Sequence, residues 1–196
     1  MCARYYIQES IYEDIEPLVG AVDEEDRITG DFHPSERPPV IVFDQKPVLT
    51  TKIAWGYPAR RGKGLLINAR TETVMEKSTF RNGIRHRRCL LPASGFYEWD
   101  ADKNKVECRA KKDGSLFLAG CYDVFDNERY FTIITTTANE SMQLIHDRMP
   151  LMIGMEDAGE WLSGEGYPEL LKRQMPPLHI EREFVQLTIA DLLFSE

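Results

Sequence analysis

The sequence has no long apolar run. No stretch approaches the roughly 18 consecutive apolar residues that a membrane-spanning helix requires, and mean hydropathy is −0.39. The basic-then-apolar order of a secretory signal is also missing, because Ile7 is soon followed by Glu9, Glu13, Asp14 and Glu16. These absences place the expected location in the cytoplasm, beside the nucleoid in a bacterium, with no membrane partner. Cysteine is sparse: Cys2, Cys89, Cys108 and Cys121 are the only four, and none forms a CxxC pair or lies at zinc-ligand spacing from a histidine. A disulfide framework or structural zinc is therefore not expected, and the last three read as small buried hydrophobes. No metal or nucleotide motif is visible, so no cofactor is expected.

What is present suits one globular domain over residues 1–196, with its motifs confined to about 2–155. Of the residues, 42% are hydrophobic and 29% charged, a balance able to build a core. The net charge of −8 is unevenly spread. Residues 51–95 carry ten Lys/Arg against Glu72 and Glu76, a local excess of +8 that leaves −16 for the remainder. Such polarity attracts a polyanion to one face despite the overall sign.

Residues 2–8 read as a strand. Ile11, Ile15, Leu18, Val19 and Val22 form one face of a helix, with Ser10 as cap and a break at Pro17. A polar loop covers 23–39. Strands are expected at 40–43 and 48–55, paired through a turn near Asp44 to Pro47, and a buried strand at 65–68. Thr73-x-x-Glu76 matches a capping box for a helix reaching about Phe80. Short strands follow at Cys89–Leu91 and from Phe96, then a meander at 105–110, 116–124 and 129–136 with turns at Asp113-Gly114 and Asp126-Asn127. Helices are expected at 138–145, 156–162 and 168–174, and a last strand over Phe184–Ile189. The mixture lacks regular βαβ alternation. It predicts an α+β fold around a mostly antiparallel, partly barrel-like sheet with flanking helices.

Chemistry concentrates first at Cys2. Once Met1 is removed, one residue carries a free amine and a thiol, both partly nucleophilic near neutral pH. A 1,2-aminothiol condenses with an aldehyde to an imine, and the thiol then closes a thiazolidine ring. Four other clusters stand out. Asn68-Ala69-Arg70-Thr71-Glu72 ends a strand with an amide, a guanidinium and a carboxylate. Ser94-Gly95-Phe96-Tyr97-Glu98-Trp99 sets one carboxylate among aromatics; strand alternation puts Glu98 on the face of Phe96, and burial there would suit it to proton transfer. His146-Asp147-Arg148 offers a proton carrier and a phosphate ligand. Trp55-Gly56-Tyr57-Pro58, running into Arg60, Arg61 and Lys63, has the composition of a single-strand nucleic-acid groove.

The order of these motifs resembles that of the SOS-response-associated peptidase family: Met-Cys-x-Arg, Trp-Gly, Asn-Ala-Arg-x-Glu-Thr, Arg-Cys-Leu-x-Pro-Ala-Ser-Gly-Phe-Tyr-Glu-Trp, and His-x-Arg-Met-Pro. The resemblance implies a sensor of abasic sites in single-stranded DNA, and a monomer is expected. Such a protein joins Cys2 to the ring-opened sugar aldehyde and shields the lesion, with an associated self-processing peptidase activity and a lyase-type step. By the same resemblance Asn68 orients Cys2, Glu98 shuttles protons at the reacting amine, and His146 assists sugar-ring opening. Arg70 and Arg148 hold phosphates, and Arg4 contacts DNA or braces the terminus. Trp55, Arg60 and Arg61 line the DNA path. Two departures are notable. Ala3 replaces a common glycine, and residues 58–64 lack the bulky aromatics many members carry, so added charge there predicts a steeper salt dependence. Two further readings remain open from sequence: a cysteine peptidase acting on other proteins, and a DNA-binding module without chemistry.

Overall fold

The computed structural model describes residues 2–59, 63–111 and 114–182. The chain opens with β1 (Tyr5–Ile7), α1 (Ile11–Val19), a 3-10 turn at Glu24–Asp26, β2 (Gly30–Phe32), β3 (Val40–Asp44) and β4 (Lys46–Thr50). Four short strands follow, β5 (Ala54–Trp55), β6 (Tyr57–Pro58), β7 (Leu65–Leu66) and β8 (Asn68–Arg70), then α2 (Ser78–His86). The long meander comprises β9 (Arg88–Ala93), β10 (Gly95–Trp99), β11 (Lys105–Ala110), β12 (Leu116–Phe125) and β13 (Glu128–Thr137). After it come β14 (Arg148–Pro150), α3 (Ala158–Ser163), α4 (Tyr167–Leu170) and β15 (Leu178–Arg182).

Two open sheets form the frame, so the fold is α+β and mostly antiparallel, but the expected partial barrel is not formed among the described residues. One sheet runs β15-β11-β10-β1-β2, the other β14-β13-β12-β9-β3-β4. The central strand of the second sheet is β13. One of its edges pairs with β12 and then, at Thr135–Thr137, with β14. Its other edge takes two parallel partners, β5 at Tyr130–Phe131 and β8 at Ile133–Thr135. That arrangement delivers Asn68 and Arg70 to the end of the strand from which β14 brings Arg148.

The core lies between the sheets and under the helices. Ile11, Tyr12 and Ile15 of α1 are buried, as the helical spacing requires. Ser10, however, makes no side-chain cap, and the helix passes Pro17 to end at Gly20, whose φ of +85° suits a residue without Cβ. The hairpin of β3 and β4 turns through Gln45, and that of β12 and β13 through Asp126 and Asn127, all with positive φ.

Three expectations need correction. Leu65 and Leu66 are 40% and 36% exposed, because β7 pairs only with β6 in a two-stranded hairpin outside both sheets. Thr73 and Glu76 sit in a run of turns, and the helix starts later, at Ser78 with Lys77 in the N-cap position. Residues 140–145 form turns rather than a regular helix. The strand expected at Phe184–Ile189 lies outside the described residues; β15 pairs with β11 just before it. No helix among the described residues is long and apolar enough to cross a membrane.

Candidate active site

Cys2 is completely buried, although it is the second residue of the chain. Its carbonyl accepts a hydrogen bond from Asn68 Nδ2 at 3.0 Å, which ties the terminus to β8. Asn68 Oδ1 is buried and has no hydrogen-bond partner among the described residues, leaving an acceptor aimed into the protein beside Cys2. The terminus is also held along β10: Tyr97 N–H donates to the Arg4 carbonyl at 2.9 Å, and Tyr5 lies opposite Phe96.

Glu98 is 3% exposed and lies two residues beyond Phe96, on the same inward face. Its negative charge bears on two thiols. Burial first, and Glu98 second, push the Cys2 thiol far above the ordinary thiol range. The same two causes push Cys108, directly across from Phe96 on β11, up to about 12. At neutral pH both thiols therefore keep their protons. Gly95 makes this wall possible. A Cβ there would meet Tyr6 Oη at 2.7 Å and the Cys108 carbonyl at 2.9 Å, so β10 approaches its neighbours more closely than any other residue allows.

Arg148 is buried, and its guanidinium fork grips the Glu72 carboxylate through two hydrogen bonds of 2.5 and 3.0 Å. Its Nη2 also donates to the Thr135 carbonyl at 2.6 Å. The fork holds the Glu72 carboxyl well below the usual range, at about 2. The Arg148 backbone N–H donates to His146 Nδ1 at 2.9 Å, which leaves Nε2 as the nitrogen for proton exchange. Asp147 Oδ1 lies 2.9 Å from the same Nδ1, a contact that is attractive only when the imidazole is protonated. The turn before His146 is anchored to the first sheet by Met142, whose sulfur lies 3.6 Å from Cys108 Sγ and whose carbonyl accepts from His146 N–H.

The structure thus places Asn68 against Cys2 and brings Glu98 within electrostatic reach of its thiol. Arg70 is exposed at the end of β8, free to meet a ligand. Arg4 bonds Asp31 through two nitrogens and lies 5.0 Å over the Tyr97 ring, so it braces the terminal strand. One DNA-facing expectation is revised. Trp55 is wholly buried, donates Nε1–H to the Ile67 carbonyl and stacks on Phe131 at 6.0 Å; it is a core residue with no face for a base. The Arg148 fork is occupied by Glu72 and the Thr135 carbonyl. Arg60 and Arg61 lie outside the described residues. Sequence reasoning missed Cys108 and the clamp role of Glu72. The x-Glu after Asn-Ala-Arg was the available signal for Glu72; nothing local marks Cys108. No cluster of metal-ligating side chains occurs among the described residues.

The family model for SOS response associated peptidases matches residues 1–189. This chain belongs to that family. Among SOS response associated peptidase relatives, the abasic site processing protein YoqW of Bacillus subtilis is 32% identical, over 90% of this chain and 87% of its own. YoaM of the same organism is 35% identical over 74% and 70%, and YedK of Escherichia coli 34% over 58% and 54%. Both carry the same descriptive name. The crystal structure of a phage-related protein from Bordetella bronchiseptica superposes with a TM-score of 0.76 at 25% identity, covering 93% of this chain and 94% of that one.

Proposed function

We propose that this protein processes abasic sites in single-stranded DNA by forming a covalent crosslink through Cys2. The observation that carries the reading is the burial of Cys2 between the Asn68 amide and the Glu98 carboxylate, in a chain whose relatives are named for abasic-site processing. Removal of Met1 frees the Cys2 amine. That amine attacks the aldehyde carbon of the ring-opened sugar to give a carbinolamine. Glu98 takes the proton released from nitrogen and returns it to the departing hydroxyl, which leaves as water. The Cys2 sulfur then adds to the imine carbon, and the thiol proton moves to the ring nitrogen. The overall reaction joins aldehyde and aminothiol with loss of one water.

A thiol held protonated suits this order, because the amine acts first and the thiol carries the proton that ring closure needs. Asn68 fixes the terminus and offers Oδ1 to an N–H or S–H of Cys2. His146 serves proton exchange while the sugar hemiacetal opens, and Arg70 holds a flanking phosphate through its fork. Arg4 keeps β1 in place. The charges of Arg60 and Arg61 add phosphate attraction.

The same features disfavour a cysteine peptidase acting on other proteins. That chemistry needs a lowered thiol pKa and a histidine partner. Here burial and Glu98 act the opposite way, and no hydrogen bond joins Cys2 to a histidine among the described residues. Removal of its own Met1 is the peptidase activity this reading retains.

The test incubates methionine-processed protein with a single strand carrying one abasic site, followed by a denaturing gel. A heat-stable shifted band that disappears in Cys2→Ala is expected. Absence of the band with correctly processed wild-type protein overturns the proposal.

A further inference from the structure

Five basic residues on and beside α2 separate into two groups in the fold. Arg87 bonds Asp123, and Arg88 is buried, spending its guanidinium on the carbonyls of Ile84, Arg85, Trp161 and Gly164. These two hold α2 and α3 to the sheet. Lys77, Arg81 and Arg85 are exposed instead, and no ion pair joins them to a carboxylate among the described residues. They recur every four residues. Successive cations therefore climb about 6 Å, and the row spans about 12 Å.

The adjoining face of α2 is pinned. Phe80, Gly83 and Ile84 are buried. A Cβ at Gly83 would meet Tyr57 Oη at 2.7 Å and the Tyr122 carbonyl at 3.0 Å, so the helix lies tight on its support and cannot roll. The row accordingly faces outward in a fixed direction. It also begins where the site ends. From Asn68 the chain passes to exposed Arg70, turns through 71–77 with Thr73 and Val74 bonded to the Arg70 carbonyl, and enters α2. Arg70, Lys77, Arg81 and Arg85 are exposed cations that follow Asn68 in chain order, in a chain whose remaining segments are strongly acidic.

We infer that the outer flank of α2, Lys77, Arg81 and Arg85, is a binding track for the sugar-phosphate backbone of the single strand leaving the lesion. This rests on the crosslinking reading above and adds to it a second, non-reactive site that reads length and charge instead of damage. Phosphate contact of this kind positions a strand without reading its sequence.

The experiment uses the methionine-processed chain and the combined variant Lys77→Gln, Arg81→Gln, Arg85→Gln, with unchanged thermal midpoint as the folding control. Two probes are compared, an abasic trinucleotide and a long abasic single strand. The variant is expected to bind the long strand about tenfold more weakly at low salt. Its log K against log salt slope should be shallower by about 2, as expected for losing three phosphate contacts to a single strand. Crosslinking to the saturating trinucleotide should proceed at the wild-type rate. The charge-preserving set Lys77→Arg, Arg81→Lys, Arg85→Lys should restore the slope. An unchanged affinity and slope on the long strand overturns the proposal. So does a loss confined to a duplex arm, or to anionic lipid vesicles, with single-strand binding intact. If wild type fails to crosslink either probe, the Cys2 reading falls, while the affinity and slope comparison still decides the track.

Discussion

Arg148 and Arg81 are the same residue type in two different regions, and the contrast explains how the protein divides its charge. On β14, Arg148 is buried and committed to Glu72 and Thr135. On the outer flank of α2, Arg81 stands in water with no ion-pair partner among the described residues. A buried guanidinium must be paired, so it defines geometry. An exposed one gains little from folding and is available to a ligand. The buried arginine therefore holds β14 against Thr135 and Glu72, while the outer flank is left for a polyanion. Substitutions in the two regions should move different observables.

The largest effect is expected at Trp55. Replacing this buried indole with alanine should lower stability by about 3–5 kcal/mol, with the remaining folded protein binding DNA at wild-type strength. Urea unfolding and DNA titration check this; a large affinity loss at full stability would make Trp55 a base-stacking residue after all. Next is Arg148→Met, which removes the fork on Glu72 and one of the two donors to the Thr135 carbonyl, the Thr71 N–H remaining. A loss of about 2 kcal/mol is expected, read by calorimetry as a midpoint drop of about 4–8 °C for a chain of this size. A drop within error would show that the clamp carries no stability.

The Glu72 clamp also predicts a pH dependence. Its folded pKa is depressed to about 2 from an ordinary value of 4.5. The stabilisation is therefore full above about 4.5 and is lost as pH falls toward 2. Wild type should exceed Glu72→Gln in thermal midpoint at pH 7, and the gap should close between pH 4.5 and 2. A gap that stays constant through that window would mean the carboxylate charge is not what Arg148 reads. The smallest stability effect belongs to Arg81→Ala, within about 0.5 kcal/mol. Its DNA affinity should nevertheless fall at low salt and recover toward wild type at high salt.

The same contrast accounts for what the sequence made legible. The meander was readable because β11, β12 and β13 are long, β-branched or aromatic, and bounded by turn residues; their observed limits differ from expectation by a residue or two. The inward face of Glu98 followed from simple alternation with Phe96, and its burial from the aromatics beside it. Other features depend on partners far along the chain. The capping pattern at Thr73 lost because those residues are used to turn β8 toward α2, with Glu76 N–H bonded to the Thr73 carbonyl. The Trp55 indole resembled a stacking platform by composition alone, and only the parallel pairing of β5 with β13 buries it. The pairing of Arg148 with Glu72 joins two strand ends that are distant in sequence. Cys108 gave no local sign, since its place beside Glu98 comes from the register of β10 against β11.

The most direct test of the account follows the fate of the Cys2 thiol after reaction with an abasic single strand. The adduct is denatured, treated with iodoacetamide and digested, and the peptides are read by mass spectrometry. The account predicts that the DNA-bearing mass sits on the peptide Cys2-Ala3-Arg4, with one water lost, no alkylation at Cys2 and resistance to borohydride. A DNA-bearing peptide still alkylated at Cys2, or one reduced by borohydride, would identify an open imine. DNA on any other residue would contradict the assignment of Cys2 altogether.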